Sequence, residues 1–215
     1  MTEIDEAGRR IWDISQPLRP GLPVWPGDTA YQEERTWLLE GDCPVNVSRL
    51  TLSTHSGAHA DAPLHYDPAG EPIGQVGLVP YLGPAQVITA QGAGERIALS
   101  EVRAQLRPGV RRVLLRTYDR FPHDAWRSDY RCPSTELVDH LGAAGVVLIG
   151  IDSPSLDPET AKDLVGHQAV RRWRMAILEG LVLDGVEDGL YELIAPPLRL
   201  EGADAAPVRA ILRSL

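Results

Sequence analysis

The stretch Ser134-Thr135-Glu136-Leu137-Val138-Asp139-His140-Leu141-Gly142-Ala143-Ala144-Gly145-Val146-Val147-Leu148-Ile149-Gly150-Ile151-Asp152 changes hydrophobic period partway along. Ser134 is suited to cap a helix running through His140 to about Ala144, and Gly145 is the residue type that closes such helices. Val146 to Asp152 then reads as a continuous apolar strand buried on both faces. A helix followed directly by a buried strand predicts an α/β layer. Downstream, Asp157-Pro158 can open another helical stretch toward Trp173, and Met175 to Leu183 reads as a strand, with an extended helix as the alternative. Upstream, Ser100 predicts a short helix over Glu101 to Leu106, closed by Pro108-Gly109, and Arg112 to Thr117 predicts a strand.

Further strands are expected at Ile11 to Ile14, Tyr31 to Leu39, Val45 to Leu52, Pro84 to Ala90, Tyr191 to Ala195 and Val208 to Leu212. Between the first two, Pro17 to Asp28 is a Pro- and Gly-rich loop suited to lining a pocket. Strands outnumber helices and cluster early and late. The expected fold class is therefore mixed α/β (α+β): a single domain over residues 11–215, with a mixed, barrel-like sheet core and helices packed outside. Residues 1–10 form a polar leader without an apolar signal-peptide core.

The 215 residues suffice for one domain with a substantial core, so clustered metal-ligand residue types call for a functional explanation. The formal charge of -9 and a pI near 5.1 argue against a nucleic-acid partner, which usually needs a basic patch. No run approaches the ~20 apolar residues of a membrane span. Two cysteines, Cys43 and Cys132, form neither a disulfide framework nor a zinc pattern. The expected compartment is the cytoplasm.

The chemistry is concentrated in Thr54-His55-Ser56-Gly57-Ala58-His59-Ala60-Asp61-Ala62-Pro63-Leu64-His65-Tyr66. Nowhere else are metal-ligand residue types so dense. His55 and His59 have helical spacing, but Ser56, Gly57 and Ala58 lie between them, Pro63 follows, and the Glu of a zinc-protease HExxH helix is missing. In an extended strand, His55, His59 and Asp61 share one parity and so one face. His55 and His59 would then stand ~13 Å apart, too far for one metal with ~2.1 Å bonds, so a bend is required. Gly57 can supply it.

Two imidazoles and one carboxylate make the three-ligand set of a catalytic zinc site with a water in the fourth position. They equally make the facial triad of a non-haem iron oxygenase, so the ligands alone leave hydrolysis and oxidation open. A non-catalytic metal-holding protein, or loop histidines with no common target, are the blander alternatives. His65 is badly placed as a fourth ligand but well placed to exchange protons with a bound water. Of the later residues, His167 follows a polar stretch. Glu179 lies inside the apolar run Met175 to Leu183, where a carboxylate is costly to bury unless paired or metal-bound. A salt bridge from Glu179 to Arg171, Arg172 or Arg174, or an edge position facing solvent, is the alternative. No GxSxG elbow occurs, which disfavours a serine hydrolase.

Thr54 to Tyr66 resembles the signature of the metal-dependent cyclase-like hydrolases, His-Thr-Gly-Thr-His-x-Asp-x-Pro-x-His-Phe. It departs at Ser56, Ala58 and Tyr66, none of which removes a ligand. Three further blocks bring it nearest to the family's bacterial kynurenine formamidase branch: Val24-Trp25-Pro26-Gly27-Asp28, Gly150-Ile151-Asp152-Ser153-Pro154-Ser155-Leu156-Asp157, and Arg174-Met175-Ala176-Ile177-Leu178-Glu179-Gly180. The resemblance implies an arylformamidase that hydrolyses N-formyl-L-kynurenine to L-kynurenine and formate in tryptophan degradation. It also implies a homodimer holding two zinc ions per subunit, with manganese or another divalent metal as a variant. Carried over by position, His55, His59 and Asp61 would bind the first zinc and Asp61 with His167 the second. Glu179 would bridge both, His65 would be the acid-base residue, and Trp25 would contact the substrate. A related hydrolase opening a cyclic imide or isatin-like ring is the neighbouring reading. In either case a zinc pair can lower the pKa of bound water toward ~7, so that hydroxide attacks the carbonyl carbon.

Overall fold

The computed structural model describes residues 2–215. In chain order the elements are β1 (Thr2–Ile4), β2 (Arg10–Asp13), β3 (Gln32–Trp37), β4 (Val47–Thr51), β5 (His59–Asp61), a one-turn α1 (Pro63–Tyr66), β6 (Leu82–Thr89), β7 (Arg96–Ile97) and a short α2 (Leu99–Val102). There follow β8 (Arg112–Arg116), β9 (Cys132–Pro133), α3 (Thr135–Ala143), β10 (Leu148–Ile151), α4 (Val165–Trp173), β11 (Ala176–Glu179), β12 (Gly189–Ile194), β13 (Ala205–Pro207) and β14 (Ile211–Ser214). Ten strands join one curled sheet in the order β1-β2-β14-β12-β6-β8-β10-β11-β5-β13. Its β6-β8-β10-β11 centre is parallel and its flanks are antiparallel. The mixed, barrel-like sheet with few outer helices is the architecture expected from the sequence.

The parallel centre explains the apolar runs. Along β8, Leu114 faces the inside of the curl with Leu148, Leu178 and Leu193, whereas Val113 and Leu115 face α2, α3 and α4 with Ile149, Ile151 and Ile177. Period-2 alternation thus divides each run between two cores, and each fully buried aliphatic side chain contributes roughly 1.5–3 kcal/mol. The opening stretch forms the expected helix and strand, the strand shortened to Leu148–Ile151: Ser134 Oγ accepts the Leu137 N–H at 3.2 Å, and Gly145 leaves the helix with φ +86° before β10 begins.

Several boundaries differ from expectation. The helix expected from Asp157 begins only at Val165. The Asp157 carboxylate reaches across the loop instead and accepts the N–H groups of Gly166 and His167 at 2.8 and 3.0 Å, acting as the cap that Leu164 cannot provide. The strand expected through Leu183 ends at Glu179 because Gly180 turns the chain at φ +63°, where a Cβ would lie 2.6 Å from the Gly57 carbonyl oxygen. Ser100 lies inside α2 rather than capping it. Glu101 accepts the Ala98 N–H at 2.7 Å, and the helix starts one residue earlier than its expected cap. Within the polar N-terminal stretch, Thr2–Ile4 pairs with β2 as the edge of the main sheet. β3 and β4 form a separate hairpin with every residue exposed on both faces. No helix among the described residues is long and apolar enough to cross a membrane.

Candidate metal centre

β5 carries the core of the site. Ala60 points into the inner core, so its neighbours His59 and Asp61 face the opposite side of the strand, as parity requires. Antiparallel pairing with β11 sets His59 directly across from Glu179 and Asp61 across from Ile177. His59 and Glu179 are therefore cross-strand neighbours on one face, 3.4 Å apart between Nε2 and Oε2. The bend required before β5 is present. A Ser53–Ser56 turn and Gly57 at φ +65° fold the chain back, so that the His55 ring lies 4.9 Å from that of His59.

All six residues singled out for metal and acid-base chemistry converge. Asp61 is the hub: Oδ1 lies 3.2 Å from His55 Nδ1 and 3.5 Å from His59 Nε2, while Oδ2 lies 3.3 Å from His167 Nε2. Glu179 Oε1 lies 3.6 Å from His167 Nε2, and its alternatives at Arg171, Arg172 and Arg174 are not taken up. The ring of His65, from α1, lies tilted 4.3 Å from the His55 ring and 5.8 Å from that of His167.

Burial opposes charge on the two titrating imidazoles, but the hydrogen bonds and charges of the carboxylates outweigh it. Asp61 and Asp204 raise His55 to about 9, and Asp157, Asp61 and Glu179 raise His167 to about 10. Asp61, although buried, is held well below the usual carboxylate range by His167 and His55. The pocket is thus built to hold positive charge. His59 Nε2 is buried without a hydrogen bond, and Asp61 Oδ1 has His55 Nδ1 at 3.2 Å but not in good hydrogen-bond geometry, an arrangement that costs roughly 1–3 kcal/mol per unsatisfied group unless something else satisfies it. A divalent cation would do so. His59 donates its other nitrogen, Nδ1, to the Gly57 carbonyl at 2.9 Å, which leaves Nε2 as a lone-pair ligand. The combinations His55/His59/Asp61 and Asp61/His65/His167 each bring their ligand atoms within 4.8 Å of one another. The donor set, imidazole nitrogen with carboxylate oxygen and no thiolate, fits a catalytic divalent metal.

The cluster forms the floor of a cavity of about 380 Å³. Its walls are aromatic. Trp25, from the Pro/Gly-rich loop, packs edge-on against Trp126 at 5.5 Å, with Tyr118 and Phe121 nearby. Asp152 accepts the Thr117 and Tyr118 N–H groups at 2.8–3.0 Å and so holds the start of this aromatic loop in place.

Four contributors escape a reading of the sequence. Asp157, fully buried, accepts from His167 Nδ1 at 2.8 Å and directs Nε2 inward. Asp204 does the same for His55 Nε2 at 2.9 Å. Trp126 and Phe121 join Trp25 in the aromatic wall. Asp157 falls at the end of a resemblance block, but nothing in Gly202-Ala203-Asp204 marks it as part of a site.

Strands β5 and β11 present His, Asp and Glu to an aromatic cavity, and this site, taken with the relatives it resembles, belongs to a metal-dependent hydrolase. The family model described as "Putative cyclase" matches residues 12–158, and the chain belongs to that family. A kynurenine formamidase of Maricaulis maris (strain MCS10) is 55% identical over 206 residues, covering 96% of this chain and 99% of that protein. Among solved structures, a "predicted metal-dependent hydrolase" from Bacillus stearothermophilus superposes with a TM-score of 0.80 at 27% identity, over 96% of this chain and 99% of that one. Isatin hydrolase A from Ralstonia solanacearum shares the fold, with a TM-score of 0.82 at 21% identity over 97% and 93% of the two chains.

Proposed function

We propose that this enzyme is a zinc-dependent arylformamidase that hydrolyses N-formyl-L-kynurenine to L-kynurenine and formate in tryptophan degradation. The convergence of His55, His59, Asp61, His167 and Glu179 around two unsatisfied buried ligand atoms carries the reading. The near relative's name supports the substrate. In this reading His55, His59 and Asp61 would hold one ion, Asp61 and His167 would hold a second, and Glu179 would serve both, with manganese or another divalent metal able to replace zinc. Metal bound there would acidify a water and polarise the formyl oxygen.

The chain's own residues supply the rest. Trp25 and Trp126, packed edge-on against each other, offer one aromatic wall on which the aniline ring rests, so that the formyl group is oriented toward the floor of the cavity. His65, about a third exposed at the rim of the cluster, accepts a proton from the attacking water and returns it to the departing aryl nitrogen, which leaves as the amine while the formyl carbon departs as formate. The aromatic walls exclude bulk water, and the cavity volume suits a single-ring substrate.

A panel of ring substrates tests the assignment. Formyl-anilines carrying an amino-acid side chain are expected to turn over fastest, longer acyl-anilines at least about ten-fold slower because the cavity floor is filled by the ligand cluster, and isatin or cyclic imides slowest. Faster opening of isatin than of N-formyl-L-kynurenine would move the enzyme to the cyclic-amide hydrolases.

The reading also includes a cytoplasmic homodimer. The β3–β4 hairpin exposes Trp37, Leu39, Val47 and Leu50, and an isolated two-stranded sheet is marginal in water unless something covers it. Sedimentation equilibrium should give twice the 23.5 kDa chain mass, and Trp37→Glu should shift it toward one chain. A wild-type protein that sediments as a single chain would remove the dimer from the account.

A further inference from the structure

Asp204 lies in the turn leading into β13, far from the histidine cluster in sequence but against it in space. Its Oδ2 accepts from His55 Nε2 at 2.9 Å and faces His65 Nδ1 at 3.4 Å. Its Oδ1 accepts from Thr54 Oγ1 at 3.0 Å, which fixes the plane of the carboxylate. The backbone holds this turn independently, since the Asp204 carbonyl accepts the Ala62 N–H at 2.8 Å and β13 pairs with β5. The side chain is 42% exposed, so its charge carries only a partial desolvation penalty.

The two rings that share this oxygen have different duties in the function proposed above. An imidazole that donates one nitrogen to a carboxylate presents the other as a lone pair, and the carboxylate fixes both the tautomer and the ring plane. For His55 the presented nitrogen is Nδ1, which faces Asp61 Oδ1 at 3.2 Å. For His65 it is Nε2, and a ring nitrogen of His65 lies within 4.8 Å of Asp61 and His167 ligand atoms. Because the His55 and His65 ring centroids are only 4.3 Å apart, one oxygen can reach both.

We infer that Asp204 is a positioning residue that orients two histidines with one carboxylate oxygen, turning Nδ1 of His55 toward Asp61, where it would serve as a metal ligand, and leaving Nε2 of His65 free to meet the substrate. The His65 half rests on the arylformamidase reading; the His55 half does not.

The test compares Asp204→Ala, Asp204→Asn, His65→Ala and the Asp204→Ala/His65→Ala double variant in the full-length protein. The readouts are zinc content at saturation, zinc affinity by chelator competition, and kcat and KM on N-formyl-L-kynurenine. Asp204→Ala should bind the wild-type number of zinc ions with about 10–100-fold weaker affinity, both with and without His65. Its kcat should fall at least about ten-fold while KM changes by less than about three-fold. Asp204→Asn, which keeps an acceptor oxygen, should recover part of the affinity. At saturating zinc the double variant should lose clearly less than the product of the two single losses, since Asp204 acts on turnover in part through the His65 ring. Wild-type affinity and kcat in Asp204→Ala, or additive losses in the double variant, would overturn the inference. A lowered zinc content at saturation would make Asp204 a ligand instead. If Asp204→Ala melts well below wild type, Asp204→Asn decides alone on the same readouts. A wild-type protein inactive on N-formyl-L-kynurenine sinks the functional reading and the His65 half together, and chelator competition then judges the His55 half by itself.

Discussion

Replacing His65 with alanine is expected to lower kcat by about 10²–10⁴-fold, the usual contribution of a positioned acid-base group, while the metal content stays at the wild-type level. That range corresponds to roughly 3–5 kcal/mol of barrier. The expectation follows from where the ring sits. His65 comes from α1 rather than from β5, its side chain is about a third exposed, and its nearest carboxylate contact is Asp204 at 3.4 Å rather than the Asp61 hub. It can therefore reach substrate and solvent while the ligand cluster beneath it closes without it. Metal analysis and steady-state kinetics on the same preparation separate the alternatives: a variant that loses zinc together with activity would make His65 a ligand, and one that keeps both would remove it from the chemistry.

Asp61→Asn is expected to abolish turnover and to weaken metal binding by more than the roughly 10–100-fold seen on removing outer-shell partners. Asp61 alone touches three of the imidazoles, through both carboxylate oxygens. The change is nearly isosteric, so the fold should survive and the effect is electrostatic. It also has a signature in the metal-free protein. His55 and His167 are raised in the folded state to about 9 and about 10, so their contribution to stability is complete below the unfolded value of about 6.5 and is lost as pH rises through those folded values. Removing the Asp61 charge should shrink that loss, which chemical denaturation of the stripped protein at pH 6.5 and pH 10 would show. An Asp61→Asn variant with wild-type metal affinity and an unchanged stability difference between those two pH values would refute the hub assignment.

The site was legible in the sequence where its residues are local and the fold where its periods are clean. His55, His59, Asp61 and His65 stand out because eleven residues hold all four, and strand parity already puts His59 and Asp61 on one face. Glu179 is marked by its cost in an apolar run, and the structure places it across from His59. The helix at Ser134 and the strand after it could be read because cap, stop and apolar run coincide. The late start of α4 could not, because its cap is Asp157, eight residues before Val165, and local helix signals assume a neighbouring cap. Asp204 was invisible for a similar reason. Its role comes from β13 pairing with β5, a non-local contact that no spacing rule encodes. The alternation in β3 and β4 marks them as strands, but period 2 carries no information about whether either face is covered, and here neither is.

The most direct test of a metal-dependent formyl hydrolase is turnover of N-formyl-L-kynurenine under argon by chelator-stripped protein before and after zinc is restored. Stripped protein should be inactive and reloaded protein active without oxygen, releasing formate and L-kynurenine in equal amounts, with full activity at about two zinc ions per chain. Activity that survives stripping, or that returns only with iron and oxygen, would contradict the account.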